Sequence, residues 1–286
     1  MFWAGISSHA PALGAPETCP DTRPAAHYDV SGPEQTNGIA TWIVTSDYQH
    51  KPCNLYVLLP DRFDKSARYK VLYVLPAWAP SPEGINEVKR LDLANRYNVI
   101  CVGPDFSSMP WYVDDERDPK VRYDSYIPDV IVPLVDRHYP TIAKPEGRLL
   151  IGHSKAGLGA VSLLLRHPDV FGRAGSWDGI LIMDNRPEFF GSNEHFAQYY
   201  LPNLLRERAA TFRNQPARIA VCGFGDLKGA NDDAHALMEK LNIPHYFDNT
   251  VKRRHEWTSG WLAPLVEVLM ADDMNKLNAD NRGRRQ

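Results

Sequence analysis

With 286 residues, 43% of them apolar and 23% charged, the chain has the size and composition of one large globular domain with a sizeable core. Its net charge of −3 gives no electrostatic case for nucleic acid or an anionic membrane surface as a partner. No stretch approaches the ~20 apolar residues of a membrane span. Residues 1–40 are rich in Pro, Ala, Ser and Thr and read as an irregular segment. The apolar opening at 1–6 has no basic flank and is too short for a signal peptide, so the chain reads as soluble, cytoplasmic by default or a mature secreted form. Beyond residue 40, runs at 41–44 and 54–60 read as early antiparallel strands. Short apolar runs at 71–75, 99–102, 148–151, 174–177, 219–222 and 244–247 read as a parallel set. Helical patterns separate them, which is the alternation of a doubly wound α/β sheet with helices on both faces. The domain so defined covers 41–271. Residues 180–214 exceed an ordinary connection and fit either a small cap or extra helices on the rim. The tail at 272–286 reads as frayed.

The stretch Leu149-Leu150-Ile151-Gly152-His153-Ser154-Lys155-Ala156-Gly157 reads as a strand, a tight turn of small residues and a helix. That is the plan of a nucleophile elbow, in which a serine on a strained turn projects from the top of the sheet. The amide of the next residue, Lys155, then points toward a forming oxyanion. Ala156 stands where the Gly-x-Ser-x-Gly pattern has its second glycine, the least damaging replacement. Two residues with the chemistry to serve such a serine follow. Asp226 stands after the strand at 219–222, and His255 lies in a loop after the last strand. The order Ser, Asp, His is that of the α/β-hydrolases. In this reading His255 takes the proton from Ser154, and Asp226 orients the imidazole.

These residues, together with 54–60, 69–76, a helix over 126–139, Arg166-His167-Pro168-Asp169-Val170-Phe171 and His255-Glu256-Trp257 with Trp261, resemble the esterase D and feruloyl-esterase-like branch of the α/β-hydrolase superfamily. The resemblance implies the α/β-hydrolase fold and a serine carboxylic-ester hydrolase that works through an acyl-enzyme. It places the second oxyanion-hole amide after the third strand of the pattern. Pro76 has no N–H to give, so Ala77 or Trp78 must serve, and position favours Trp78. Arg253-Arg254 stands before His255 where glycine is common in the family, which predicts a different loop path. Asp178, after the strand at 174–177, occupies a place from which some α/β-hydrolases draw the acid. The family match favours Asp226 and leaves Asp178 to shape the pocket floor.

Trp111 and Tyr112 are candidates for a substrate wall, with loop anchoring as the alternative. Arg254, in the basic run Lys252-Arg253-Arg254, is a candidate for binding a carboxylate on the substrate, with a solvated surface loop as the alternative. Cys101 and Cys222 read as core residues, and a Cys19–Cys53 disulfide is open. No Cys-x-x-Cys, paired-histidine spacing or Walker pattern is present, and Gly223-Phe224-Gly225 lacks a third glycine; neither a metal nor a nucleotide cofactor is implied. The expected partner is a small-molecule ester. Acyl transfer by the same residues, or a non-catalytic binding role on the same fold, remains open, as does the oligomeric state.

Overall fold

The structure, a computed structural model, describes residues 26–77, 82–106 and 111–277. The strands are β1 (Tyr28–Thr36), β2 (Ile39–Ser46), β3 (Cys53–Leu58), β4 (Val71–Val74), β5 (Ile100–Pro104), β6 (Arg148–His153), β7 (Arg173–Trp177), β8 (Ile219–Cys222) and β9 (His245–Asp248). They form one sheet in the order β1-β2-β3-β5-β4-β6-β7-β8-β9. The first three pairings are antiparallel and the remaining five are parallel. Every residue of β4, β5, β6 and β8 is buried, because helices cover both faces; this is why these strands read as continuous apolar runs.

The helices are α1 (Glu83–Arg90), α2 (Leu93–Tyr97), α3 (Tyr123–Tyr126), α4 (Val132–His138), α5 (Lys155–Arg166), α6 (Asn193–Tyr199), α7 (Leu201–Arg213), α8 (Lys228–Lys240) and α9 (Leu262–Met270). Neighbouring residues of a strand point to opposite faces, and β7 shows both layers at once. A Cβ on Gly175 would meet Leu265 and Leu269 of α9, whereas Ser176 faces Gly157 of α5. The helix expected over 126–139 is α3 and α4 joined by a π-helical turn, Ile127–Ile131. Pro128 and Pro133 cannot donate to the carbonyls four residues back, so the chain widens there.

The chain order reverses at β4, with β5 on one side and β6 on the other. The carboxyl ends of β4 and β6 therefore flank a topological switch point, where open α/β sheets form their crevice.

Two expectations change at the ends of the chain. Part of the segment read as irregular, residues 28–36, is the edge strand β1. Its mostly exposed residues and its bulge between Ser31 and Glu34, at Gly32-Pro33, hide it from a test of apolar alternation. At the other end, residues 272–277 are docked rather than frayed. Met274 is buried, Asn275 Oδ1 accepts from Ala217 N at 3.2 Å, and Arg173 donates to Leu269 O at 2.8 Å and Asp272 O at 3.2 Å. Residues 1–25 and 278–286 lie outside the described residues, and with Cys19 the Cys19–Cys53 pairing. In the 180–214 segment, α7 packs on α5 as a layer helix. The part before it docks against the loop at 111–118: Trp111 lies 5.0 Å from Phe189, ring to ring, and Tyr199 Oη accepts from Asp114 N at 3.1 Å.

No helix among the described residues is long and apolar enough to cross a membrane.

Candidate active site

Ser154 follows β6 directly and caps α5 with φ 58° and ψ −128°, a backbone region that nearly all non-glycine residues avoid. Such strain persists only where the surroundings over-determine it. The amide of Ser154 donates to Trp177 O at 3.1 Å, and its carbonyl accepts from Gly157, Leu158 and Ile180. The small residues around it are sterically required. A Cβ on Gly152 would sit 2.4 Å from the Ala156 carbonyl oxygen and 2.7 Å from the Ala156 methyl, and one on Gly157 would sit 2.5 Å from Ser176 Oγ. The departure at Ala156 is thus absorbed by Gly152, which leaves the space that the alanine methyl fills. Lys155 opens the twelve-residue helix α5, so its amide stands at the positive end of the helix macrodipole.

His255 bonds to Asp178, not to Asp226. His255 Nδ1 lies 2.6 Å from Asp178 Oδ2, while Asp226 is exposed at the surface. Asp178 is fully buried and has φ 42°. Its other oxygen, Oδ1, accepts from Leu227 N at 3.1 Å. The expectation that Asp226 is the partner is therefore corrected: β7 lies next to the serine strand and ends nearer the imidazole, whereas Asp226 lies one strand further out and faces water. The side-chain bond to Asp178 is the main cause of a His255 pKa above the ordinary value. Burial opposes it, and the charges of Asp178 and, more weakly, Asp226 add to it.

Asn231 fixes the turn that carries Asp178. It lies inside α8 and is fully buried. Its side chain donates to Gly179 O at 3.1 Å and accepts from Gly179 N at 3.3 Å, a two-point grip on the residue after Asp178. A buried asparagine in a helix interior is the signal that could have found it.

His153 packs between the histidine and the aromatic floor. Its ring lies 5.0 Å from that of His255, 4.9 Å from Trp257 and 5.8 Å from Trp261. Burial foremost, and the neighbouring His255, push its pKa down to about 4, so it is a neutral packing surface for the His255 ring. Trp261 stacks on Trp177 and donates to Glu256 O at 3.1 Å, which ties the His255 loop to β7. Arg253 and Arg254 have no positive φ, and Gly260 supplies it instead at φ 87°. Arg253 donates back to Ser259 O at 3.1 Å.

The remaining expected residues fall in different places. Tyr112 is buried, so it is not a substrate wall. Its hydroxyl donates to Pro76 O at 2.8 Å, and its ring fills the space left by Gly159 of α5; it clamps the loop after β4 to the elbow helix. Trp111 is partly buried against Phe189 and Phe190. Arg254 is 84% exposed and pairs with Glu256 at 2.9 Å. Trp78 lies outside the described residues; Ala77, beside it, is buried. Beneath the elbow, the Lys155 side chain is buried with Nζ 5.9 Å from the rings of Phe106 and Tyr112. Burial brings its pKa down to about 8, against the pull of Asp105, and burial raises Asp105 to about 6 despite the Phe106 amide and the Lys155 charge.

The sequence model of the esterase family, described as "Putative esterase", matches residues 46–222. The chain belongs to this family. The match takes in the elbow and Asp178 and ends before His255. Solved structures agree in fold. A ferulic acid esterase is 19% identical with a TM-score of 0.66, covering 86% of this chain and 97% of that one. S-formylglutathione hydrolase from Staphylococcus aureus is 17% identical with a TM-score of 0.67, over 86% of this esterase and 100% of that chain. A fluorophosphonate-binding serine hydrolase of Staphylococcus aureus is 18% identical with a TM-score of 0.64, over 87% and 100%.

Proposed function

We propose that this esterase hydrolyses small-molecule carboxylic esters through an acyl-enzyme on Ser154, with His255 as base and acid and Asp178 as the orienting carboxylate. Ser154 Oγ attacks the ester carbonyl carbon while its proton passes to the imidazole Nε2. The amide of Lys155, and one from the loop that follows Pro76, hold the oxyanion. Collapse of the tetrahedral intermediate expels the alcohol, which takes the proton from His255. Water then repeats the sequence against the acyl-enzyme, and the acid leaves with Ser154 restored. Asp178 keeps the Nδ1 proton in place and stabilises the imidazolium formed in each half. The observation that carries this reading is the 2.6 Å bond from His255 to a fully buried carboxylate at the end of the sheet where a serine is held at φ 58°.

The test is pre-steady-state hydrolysis of p-nitrophenyl acetate by the purified protein. A burst of about one nitrophenol per chain, followed by slower turnover, is expected for an acyl-enzyme. No turnover in wild type, or turnover retained in Ser154→Ala, contradicts it.

A further inference from the structure

We propose that His235, Glu239 and His245 form a binding site for a divalent transition-metal ion of the zinc class, one that staples helix α8 to the edge strand β9. His235 and Glu239 are four residues apart on α8, so their side chains leave the same face one turn apart. His245 opens β9, the last strand of the sheet. One nitrogen or oxygen from each of the three lies within 4.8 Å of the others. His235 Nδ1 is 2.7 Å from His245 Nε2, and that same Nε2 is 4.0 Å from Glu239 Oε1.

The tautomer of His245 is decided by its surroundings. Its Nδ1 lies 2.7 Å from Ile243 O, and a carbonyl only accepts, so Nδ1 carries the proton. In the neutral ring the lone pair is therefore on Nε2, the atom that faces His235 and Glu239. A histidine whose far nitrogen donates to a backbone carbonyl is the usual outer arrangement of a metal-ligating imidazole. Both rings are also fixed in plane. His245 is 2% exposed, and His235 stacks on Phe247 at 3.9 Å with 9° between planes.

Two imidazoles and one carboxylate suit zinc and its transition-metal neighbours, and suit calcium or magnesium poorly because those prefer all-oxygen shells. Ligands at about 2.0–2.1 Å around a tetrahedral ion stand roughly 3.3 Å apart. The observed 2.7 Å and 4.0 Å bracket that spacing, and Glu239, on the exposed side, reaches it by a side-chain rotation while His245 stays put. Water completes the shell from the same open side. The site lies far along the sheet from the serine. His245 pairs with Ile219, at the start of β8, whereas Ser154 and Asp178 follow the ends of β6 and β7. Its effect is thus on the anchoring of a four-residue edge strand. A search for Cys-x-x-Cys or two histidines at ligand spacing passes over it, because its helical pair is His-x-x-x-Glu and its third member is on another element.

The test uses the full chain, stripped with chelator and titrated with zinc chloride by calorimetry, with thermal unfolding followed with and without one equivalent. One zinc per chain, a Tm raised by the metal, and binding at least about 100-fold weaker in both His235→Ala and Glu239→Gln are expected; loss of an outer-shell partner alone costs 10–100-fold. The metal-free Tm values of the two variants show that they fold. Absence of stoichiometric binding in wild type, or wild-type affinity in both variants, overturns the proposal and leaves His235 and His245 as a hydrogen-bonded pair.

Discussion

Asp178 has no spare acceptor pointing at solvent: one oxygen takes the Leu227 amide and the other the His255 ring. An amide there can present its NH₂ group to Nδ1 and impose the wrong tautomer, which in comparable triads lowers kcat by about 10⁴. Asp178→Asn is expected to show a loss of that order, and Asp226→Asn a loss below about tenfold, in steady-state hydrolysis of a nitrophenyl ester. The reverse ranking would return the acid to the next strand. Asp226 has a subtler signature. A base must be neutral to act, so kcat/KM rises with pH as His255 loses its proton, along a limb that Asp178 holds above the ordinary imidazole range. A negative charge favours the imidazolium, so its removal lowers the pKa. Asp226→Asn should therefore move the acid limb to lower pH and leave the plateau unchanged, and a pH profile of kcat/KM reads both.

The elbow and the loop after β4 are held to each other by packing that single atoms can break. Gly152→Ala places a methyl 2.4 Å from the Ala156 carbonyl, backbone that cannot swing away. It should abolish activity and lower stability by at least about 1–3 kcal/mol, the usual range for overpacking. Ala156→Gly opens space and should keep activity within a few-fold, at a helix-propensity cost of about 1 kcal/mol. Thermal unfolding and initial rates on the two variants check this asymmetry, which fails if the glycine substitution is the more damaging. Tyr112→Phe removes the donor to Pro76 O and leaves a buried carbonyl to be re-satisfied, a loss of about 1–3 kcal/mol. Because that carbonyl begins the loop proposed to supply the second oxyanion amide, kcat should fall more than KM changes. A Tyr112→Phe enzyme with wild-type kcat would make the clamp purely structural.

At the scale of the whole molecule, periodicity exposed the strands that helices cover on both faces, since a run such as Leu149-Leu150-Ile151 has no other home. It missed β1, where exposure on an edge removes the apolar signal, and it stopped short of residues 272–277, whose anchoring depends on Arg173 ninety-odd residues earlier in the chain. Ser154 and His255 could be singled out in the sequence because an elbow is a local motif and His255 follows the last strand. The partner of His255 could not, because Asp178 and Asp226 each follow a strand of the same sheet, and what separates them is the place of β7 beside the serine strand together with the grip of Asn231 on Gly179. Arg166 and His167, in the Arg-His-Pro-Asp-Val-Phe segment of the resemblance, both bind Asp124, closing α5 onto α3. What unites these observations is a sheet whose switch point presents one strained serine. Incubation of the intact protein with a fluorophosphonate, followed by peptide mass spectrometry, tests this most directly. One adduct per chain on the peptide containing Ser154, absent in Ser154→Ala, is the result expected here. A folded wild-type protein that takes no label, or takes it on another residue, would contradict it.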